Sequence, residues 1–244
     1  MRTRVAVITG LGLAGLAGAL LPSAWSPLRD KPPSAGVIAR QRLPEINARL
    51  AAASSDFILT AGDSHAELLS PNSMCGLPTV NGGVGGANTK VYRSTLDEIA
   101  FVRRPTAAVL TIGTNALLAK NQPSQPANMA RLVADASAII SRLAGAADRL
   151  VVTAVPPLSA RVAHKFDAEG LALLSSELRH LCEARAGCTF LDPFAPLREE
   201  GRYAVARAGA LADDLHLTDY QAVGRAIARH LCPAADAGHA SAAP

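Results

Sequence analysis

Four short blocks in this sequence carry side chains suited to nucleophilic acyl chemistry. The first, LTAGDSHA over 59–66, puts Ser64 where an aliphatic run gives way to a helical stretch. A serine on such a turn stands at the sheet's edge, and the first turn of the following helix offers N–H groups and a positive dipole end to a developing oxyanion. Gly-Asp-Ser alone is weak, because an ordinary turn or helix cap uses the same residues. The fourth block, DDLHLTD over 213–219, sets Asp213 three residues before His216. A carboxylate there fixes the imidazole tautomer and leaves the other ring nitrogen free to take a proton from a serine hydroxyl. The competing use of this block is an acidic flank for the closing helix, which Asp219 serves without any histidine.

The two blocks between them supply backbone and amide donors. In VNGGVGGANT over 80–89, the glycines let backbone approach a ligand closely. The spacing is not G-x-G-x-x-G and the block follows the second strand candidate rather than the first, so a dinucleotide loop is set aside. In TIGTN over 111–115, the Asn115 amide is placed to donate to a substrate oxygen. Its other reading is an Asx turn that closes the loop.

Such blocks work only if a scaffold brings them to one edge. Short β-branched or aliphatic runs alternate with longer helical stretches, the pattern of an α/β fold on a parallel sheet. Strands are expected at 57–60, around 79–80, and at 107–111, 150–154 and 189–191; helices are expected at 44–53, 65–69, 89–101, 126–143, 167–185 and 218–231. Pro126 marks a first helical turn and Thr218 the N-cap of the last helix. Five parallel strands with helices on both faces give a flavodoxin-like, three-layer α/β/α sandwich with its site outside the carboxyl ends of the strands. Three of the blocks directly follow strand candidates, and the fourth opens the last helix.

As a set and in this order, Gly-Asp-Ser64, the glycine before Ala87-Asn88, Gly-Thr-Asn115 and Asp213-x-x-His216 resemble the SGNH/GDSL hydrolases, over about 56–232 of the chain. The resemblance implies a serine esterase in which Ser64 is the nucleophile, His216 the general base and Asp213 its orienting partner. The Ser64 N–H, the Gly86 N–H and the Asn115 side chain would form the oxyanion hole. Gly86 is preferred to Gly85 because the family's Asn-x-Gly-hydrophobic-x-Gly pattern starts at Asn81. Two positions depart from the family: His65 stands where the eponymous pattern has Leu, and Ala116 where Asp often follows Asn. Gly-Asp-Ser-His-Ala resembles SGNH domains that accompany bacterial sugar O-acyltransferases, which tilts the expected substrate towards acylated carbohydrate. The plainer reading is that His65 simply begins the helix. Transfer of the acyl group to a sugar hydroxyl, or a non-catalytic carbohydrate-binding module on the same fold, are the alternatives to hydrolysis. The expected reaction uses no metal and no organic cofactor, and no block has metal-ligand spacing. His164, His180, His230 and His239 follow no strand end and read as surface residues.

Charge and termini narrow the setting. The net charge of +4 comes from scattered residues, and aromatics are 4% of the chain, so neither the basic stripe nor the stacking platforms of a nucleic-acid binder are present. The expected partner is a small-molecule or glycan ester. Residues 1–21 open on a basic Met-Arg-Thr-Arg segment and continue as an uncharged apolar run, the pattern of a secretory signal. If retained, the run would be an N-terminal membrane anchor at the short limit of spanning length. Either way an exported protein, periplasmic or secreted, is expected. Residues 22–35 are a Pro-rich spacer, 36–233 the catalytic domain and 234–244 a loose tail. An oxidising compartment permits disulfides, and Cys182 with Cys188 is the easiest pair. Strands run towards the active edge and helices run back, which puts all four cysteines at the opposite edge.

Overall fold

Strand side chains alternate between two apolar faces, and the alternation decides where each helix packs. The computed structural model describes residues 32–232; the expected leader, residues 22–31 of the spacer and the tail lie outside the described residues. β1 (Ile58–Gly62), β4 (Ala107–Thr111) and β5 (Leu150–Thr153) are buried along their whole length, as strands covered on both faces must be. Ile58, Val109 and Val151 turn to one face, while Leu59, Leu110 and Val152 turn to the other. β3 (Leu77–Gly83) and β6 (Cys188–Leu191) complete the parallel set in the order β3-β1-β4-β5-β6. That is the flavodoxin-like order, whose direction of winding reverses between β1 and β4 and opens a crevice there.

The sheet has six strands rather than the five expected, because β2 (Ser73–Met74) pairs antiparallel with the outer strand β3. Two residues show no periodicity, so the sequence carried no signal for β2. The signal lay instead in the turn: Cys75 and Gly76 both have positive φ, at 55° and 74°, as a two-residue hairpin of the primed type requires.

α1 (Ala35–Ala52), α3 (Thr89–Glu98), α4 (Pro126–Ala146) and α5 (Ala168–Glu183) cover the larger face through residues such as Leu50, Tyr92, Ile139 and Leu174. α6 (Tyr220–Leu231) covers the other through Val223, Ile227 and Leu231. α2 (Ser64–Leu68) is a single turn leaving β1. Two helix starts differ from expectation. α1 begins at Ala35 and carries Pro44 inside it, so Pro44 is not the first-turn residue it resembles. α6 is capped by Asp219, whose carboxylate accepts from Ala222 N–H at 2.9 Å; Thr218 instead donates its hydroxyl to the Gly209 carbonyl. A small hairpin of β7 (Arg198–Glu199) and β8 (Arg202–Ala206), absent from the sequence reading, packs beside the segment after β5 through Leu158 and Val205.

Both cysteine pairs are disulfides, Cys182–Cys188 as expected and Cys75–Cys232 in addition. All four cysteines lie at the edge away from the catalytic blocks, at the ends of α5 and α6 and the starts of β6 and β3. The two bridges differ in the chain they close, with sequence separations of 157 and 6. On loop-closure grounds the long one constrains the unfolded chain by about 5 kcal/mol and the short one by about 2 kcal/mol. Replacing Cys75 and Cys232 by Ser should therefore lower the urea midpoint clearly more than replacing Cys182 and Cys188. Equal losses, or a larger loss for the short bridge, would contradict that ordering.

Candidate active site

The position of Ser64 is set at the end of β1. Gly62 has φ 131°, and a Cβ there would lie 1.8 Å from the Thr111 carbonyl oxygen, so only glycine lets β1 and β4 finish this close together. Asp63 N–H then donates to the same carbonyl at 3.1 Å, and the chain turns into α2 with Ser64 as its first residue. The Asp63 carboxylate caps the helix by accepting from His65 N–H at 2.9 Å. Ser64 N–H is one of the first-turn amides that have no intrahelical partner.

The loop before α6 delivers His216 and its carboxylate partner. Asp213 accepts from the backbone N–H groups of Leu215 and His216, at 2.7 and 2.6 Å, with one oxygen, and its other oxygen pairs with His216 Nδ1 at 2.8 Å. His216 Nε2 lies 3.0 Å from Ser64 Oγ. The neighbouring Asp214 does a different job: it accepts from Ser159 Oγ at 2.7 Å and pairs with Arg161, which ties the loop to the segment after β5. Two adjacent aspartates thus divide orientation of the imidazole from anchoring of its loop.

Asn115 sits after β4 and is half-buried. Its Nδ2 donates to the Ala87 carbonyl at 3.2 Å, so the third block is tied to the glycine loop beside Gly86. Gly86 is exposed with φ 72°, a conformation that a side chain disfavours. Asn81 braces the start of that loop, accepting from Gly83 N–H at 3.0 Å and donating to the Glu67 carbonyl of α2 at 2.7 Å. Arg42 of α1 reaches both Asn81 and the Gly83 carbonyl, at 3.3 Å each. Arg42 was invisible in the sequence because its partners lie about 40 residues away.

Burial and hydrogen bonding pull the two site carboxyls in opposite directions. Partial desolvation pushes Asp213 up, but the backbone N–H and ring of His216, with the Leu215 N–H, outweigh it and hold the carboxyl at about 2. Asp63 is fully buried, and desolvation raises it to about 7 despite the nearby amides of His65, Gly113 and Thr114 and the charge of His216. One of its oxygens has no hydrogen-bond partner among the described residues.

His65 corrects the sequence reading. It is 1% exposed, not a surface residue at a helix start, and its Nδ1 lies 3.0 Å from the Tyr220 hydroxyl. His164, His180 and His230 are exposed as expected, and His239 lies outside the described residues. A cavity of about 600 Å³ runs between α2, β2 and α6 past Leu68, Met74, Tyr220 and Arg225. Ser64 does not line it. No group of three His, Cys, Asp or Glu side chains among the described residues is arranged to hold a metal ion.

The family model described as GDSL-like lipase/acylhydrolase matches residues 59–220. Among solved structures, the fold is similar to that of a GDSL-like lipase from Bacteroides thetaiotaomicron, with a TM-score of 0.60 at 15% identity over 80% of this chain and 98% of that one. A lipase/acylhydrolase from Enterococcus faecalis gives 0.56 at 15%, over 72% and 94%. A variant of an acetyl xylan esterase from Geobacillus stearothermophilus gives 0.52 at 12%, over 73% and 95%. At these identities the structures speak for the fold. No curated protein matches the sequence.

The buried Asp63 makes stability depend on pH in an unusual direction. Its carboxyl titrates at 3.8 when unperturbed and at about 7 in the folded chain, so between those values the unfolded state gives up its proton while the folded state keeps it. Raising the pH through that window removes stability. Asp63→Asn keeps a capping oxygen and removes the charge. The variant should be more stable than the parent at about pH 8, with the advantage vanishing below about pH 4. Thermal unfolding across that range checks this, and an advantage that grows in acid would contradict it.

Proposed function

Because the chain belongs to the GDSL-like lipase/acylhydrolase family, we propose that it is a serine esterase working through an acyl-enzyme on Ser64. The observation that carries this reading is the unbroken chain from Asp213 to His216 to Ser64, with links of 2.8 and 3.0 Å. His216 Nε2 takes the hydroxyl proton as Ser64 Oγ attacks the ester carbonyl carbon. Asp213 stays ionised throughout and stabilises the imidazolium as it forms. Negative charge on the carbonyl oxygen is met by the Ser64 N–H, the Gly86 N–H and the Asn115 amide. His216 passes the proton to the departing alcohol, and water, activated by the same imidazole, then releases the acid.

The substrate we propose is a short acyl ester on carbohydrate. Support comes from the fold shared with acetyl xylan esterases at 15% and 12% identity and from the Gly-Asp-Ser-His-Ala block. We place the protein outside the cytoplasm, on the strength of the basic and apolar segment over 1–21 and of two disulfides, which persist in oxidising compartments. Among the described residues no helix is long and apolar enough to cross a membrane.

Steady-state hydrolysis of aryl esters from acetyl to octanoyl, with acetylated xylan alongside, tests the reading. Acetyl esters should be preferred and Ser64→Ala should abolish turnover. Asn115→Ala should lower kcat by roughly 10²–10³, the usual cost of one oxyanion donor, with KM little changed because the donor contributes less to the ground-state carbonyl. Near-parental kcat in that variant would show that Asn115 only closes its loop, and residual turnover in Ser64→Ala would remove the acyl-enzyme.

A further inference from the structure

A second hydrogen bond runs beside the catalytic one and joins the same two segments. Ser64 and His65 are consecutive in α2, and His216 and Tyr220 bracket the entry to α6. Ser64 Oγ meets His216 Nε2 at 3.0 Å, and His65 Nδ1 meets the Tyr220 hydroxyl at 3.0 Å. The His65 ring centroid lies 5.5 Å from that of His216 and 6.1 Å from that of Tyr220. We propose that the His65–Tyr220 pair is a positioning clamp that sets the distance between nucleophile and base, a role that rests on the esterase reading above.

Three observations favour a clamp over incidental packing. The first is cost. The single hydrogen bond to the Tyr220 hydroxyl engages His65 Nδ1 and leaves the other ring nitrogen, Nε2, to find its own partner. Nε2 is buried without a partner among the described residues, and a leucine at 65 would avoid the expense. A polar group kept at such cost beside a nucleophile calls for a role. The second is charge. Burial, with the neighbouring charge of His216, pushes the His65 imidazole down to about 3, so the ring is neutral wherever the enzyme works and does not oppose the positive charge that His216 acquires. The third is leverage. The other grips on α6 lie further along it: Gly224 against Leu69, the apolar residues Val223 and Ile227, and the Cys75–Cys232 bridge at its far end. The Tyr220 hydroxyl is a polar contact at the end where His216 must be held, and unlike the Thr218 hydroxyl, which bonds the Gly209 carbonyl of its own loop, it reaches α2.

Tyr220→Phe keeps the ring and deletes the hydroxyl. Loss of positioning on the scale of one ångström costs up to about 10²-fold, so kcat on an aryl acetate should fall 10- to 100-fold with KM within about twofold. His65→Asn, which retains an acceptor near the position of Nδ1, should keep more activity than His65→Leu. The double variant Tyr220→Phe with His65→Leu should be no slower than the worse single, as expected of two halves of one device. A kcat within twofold of the parent in Tyr220→Phe, or independent losses in the double variant, would overturn the clamp. A parent protein that turns over no ester would instead refute the esterase reading. Crystal structures of the parent and Tyr220→Phe judge the clamp in that event as well: the Ser64 Oγ to His216 Nε2 separation should open beyond hydrogen-bond range in the variant, and an unchanged 3.0 Å would overturn it.

Discussion

Gly62 passes so close to β4 that the Thr111 carbonyl occupies the space a side chain would need. This contact pins the ends of β1 and β4 together at the crevice where the winding of the sheet reverses. Everything at the active edge is referred to it. Asp63 hangs from the same carbonyl and caps α2, α2 presents Ser64, and the chain leaving β4 presents Asn115 three residues after Ile112. Val84 N–H donates to the Gly62 carbonyl at 3.0 Å, so the glycine loop is hung from the same turn. The site is thus built on strand ends, with backbone hydrogen bonds fixing the nucleophile and the side chains that would hold an oxyanion.

His216 arrives differently, on a loop stitched together by its own side chains. Asp213 accepts three donors from Leu215 and His216, and the Ala212 N–H to His216 carbonyl bond closes the turn at 2.8 Å. Such local wrapping makes Asp213 and His216 a preformed unit that needs only to be aimed. Aiming falls to Asp214 on one side, through Ser159 and Arg161, and to α6 on the other. Preorganisation of this kind removes the reorganisation that a mobile base would have to undergo at each turnover.

What the sequence revealed follows from the range of each signal. Strand and helix placements came from short aliphatic runs alternating with longer helical stretches, signals that are local, and they agree with the structure to within a few residues for β1, β4, β5, α4 and α5. The pairs Asp213–His216 and Cys182–Cys188 were legible because both partners lie within one short window. Contacts between distant segments were not. Cys75–Cys232, Arg42 with the glycine loop, and His65 with Tyr220 span separations of 157, 41 and 155 residues. Nothing in either local window names the partner. His65 misled for a further reason: helix starts are usually solvated, whereas this one is buried beneath the loop that carries the base.

The central claim is that Ser64 is a nucleophile made reactive by His216. Reaction with a fluorophosphonate, followed by intact mass and peptide mapping, addresses the covalent step itself, independently of which ester the protein prefers. A single adduct on the peptide containing Ser64 is expected, forming rapidly in the parent and far more slowly in His216→Ala. An unlabelled parent protein, an adduct on another residue, or equal labelling rates with and without His216 would contradict the account.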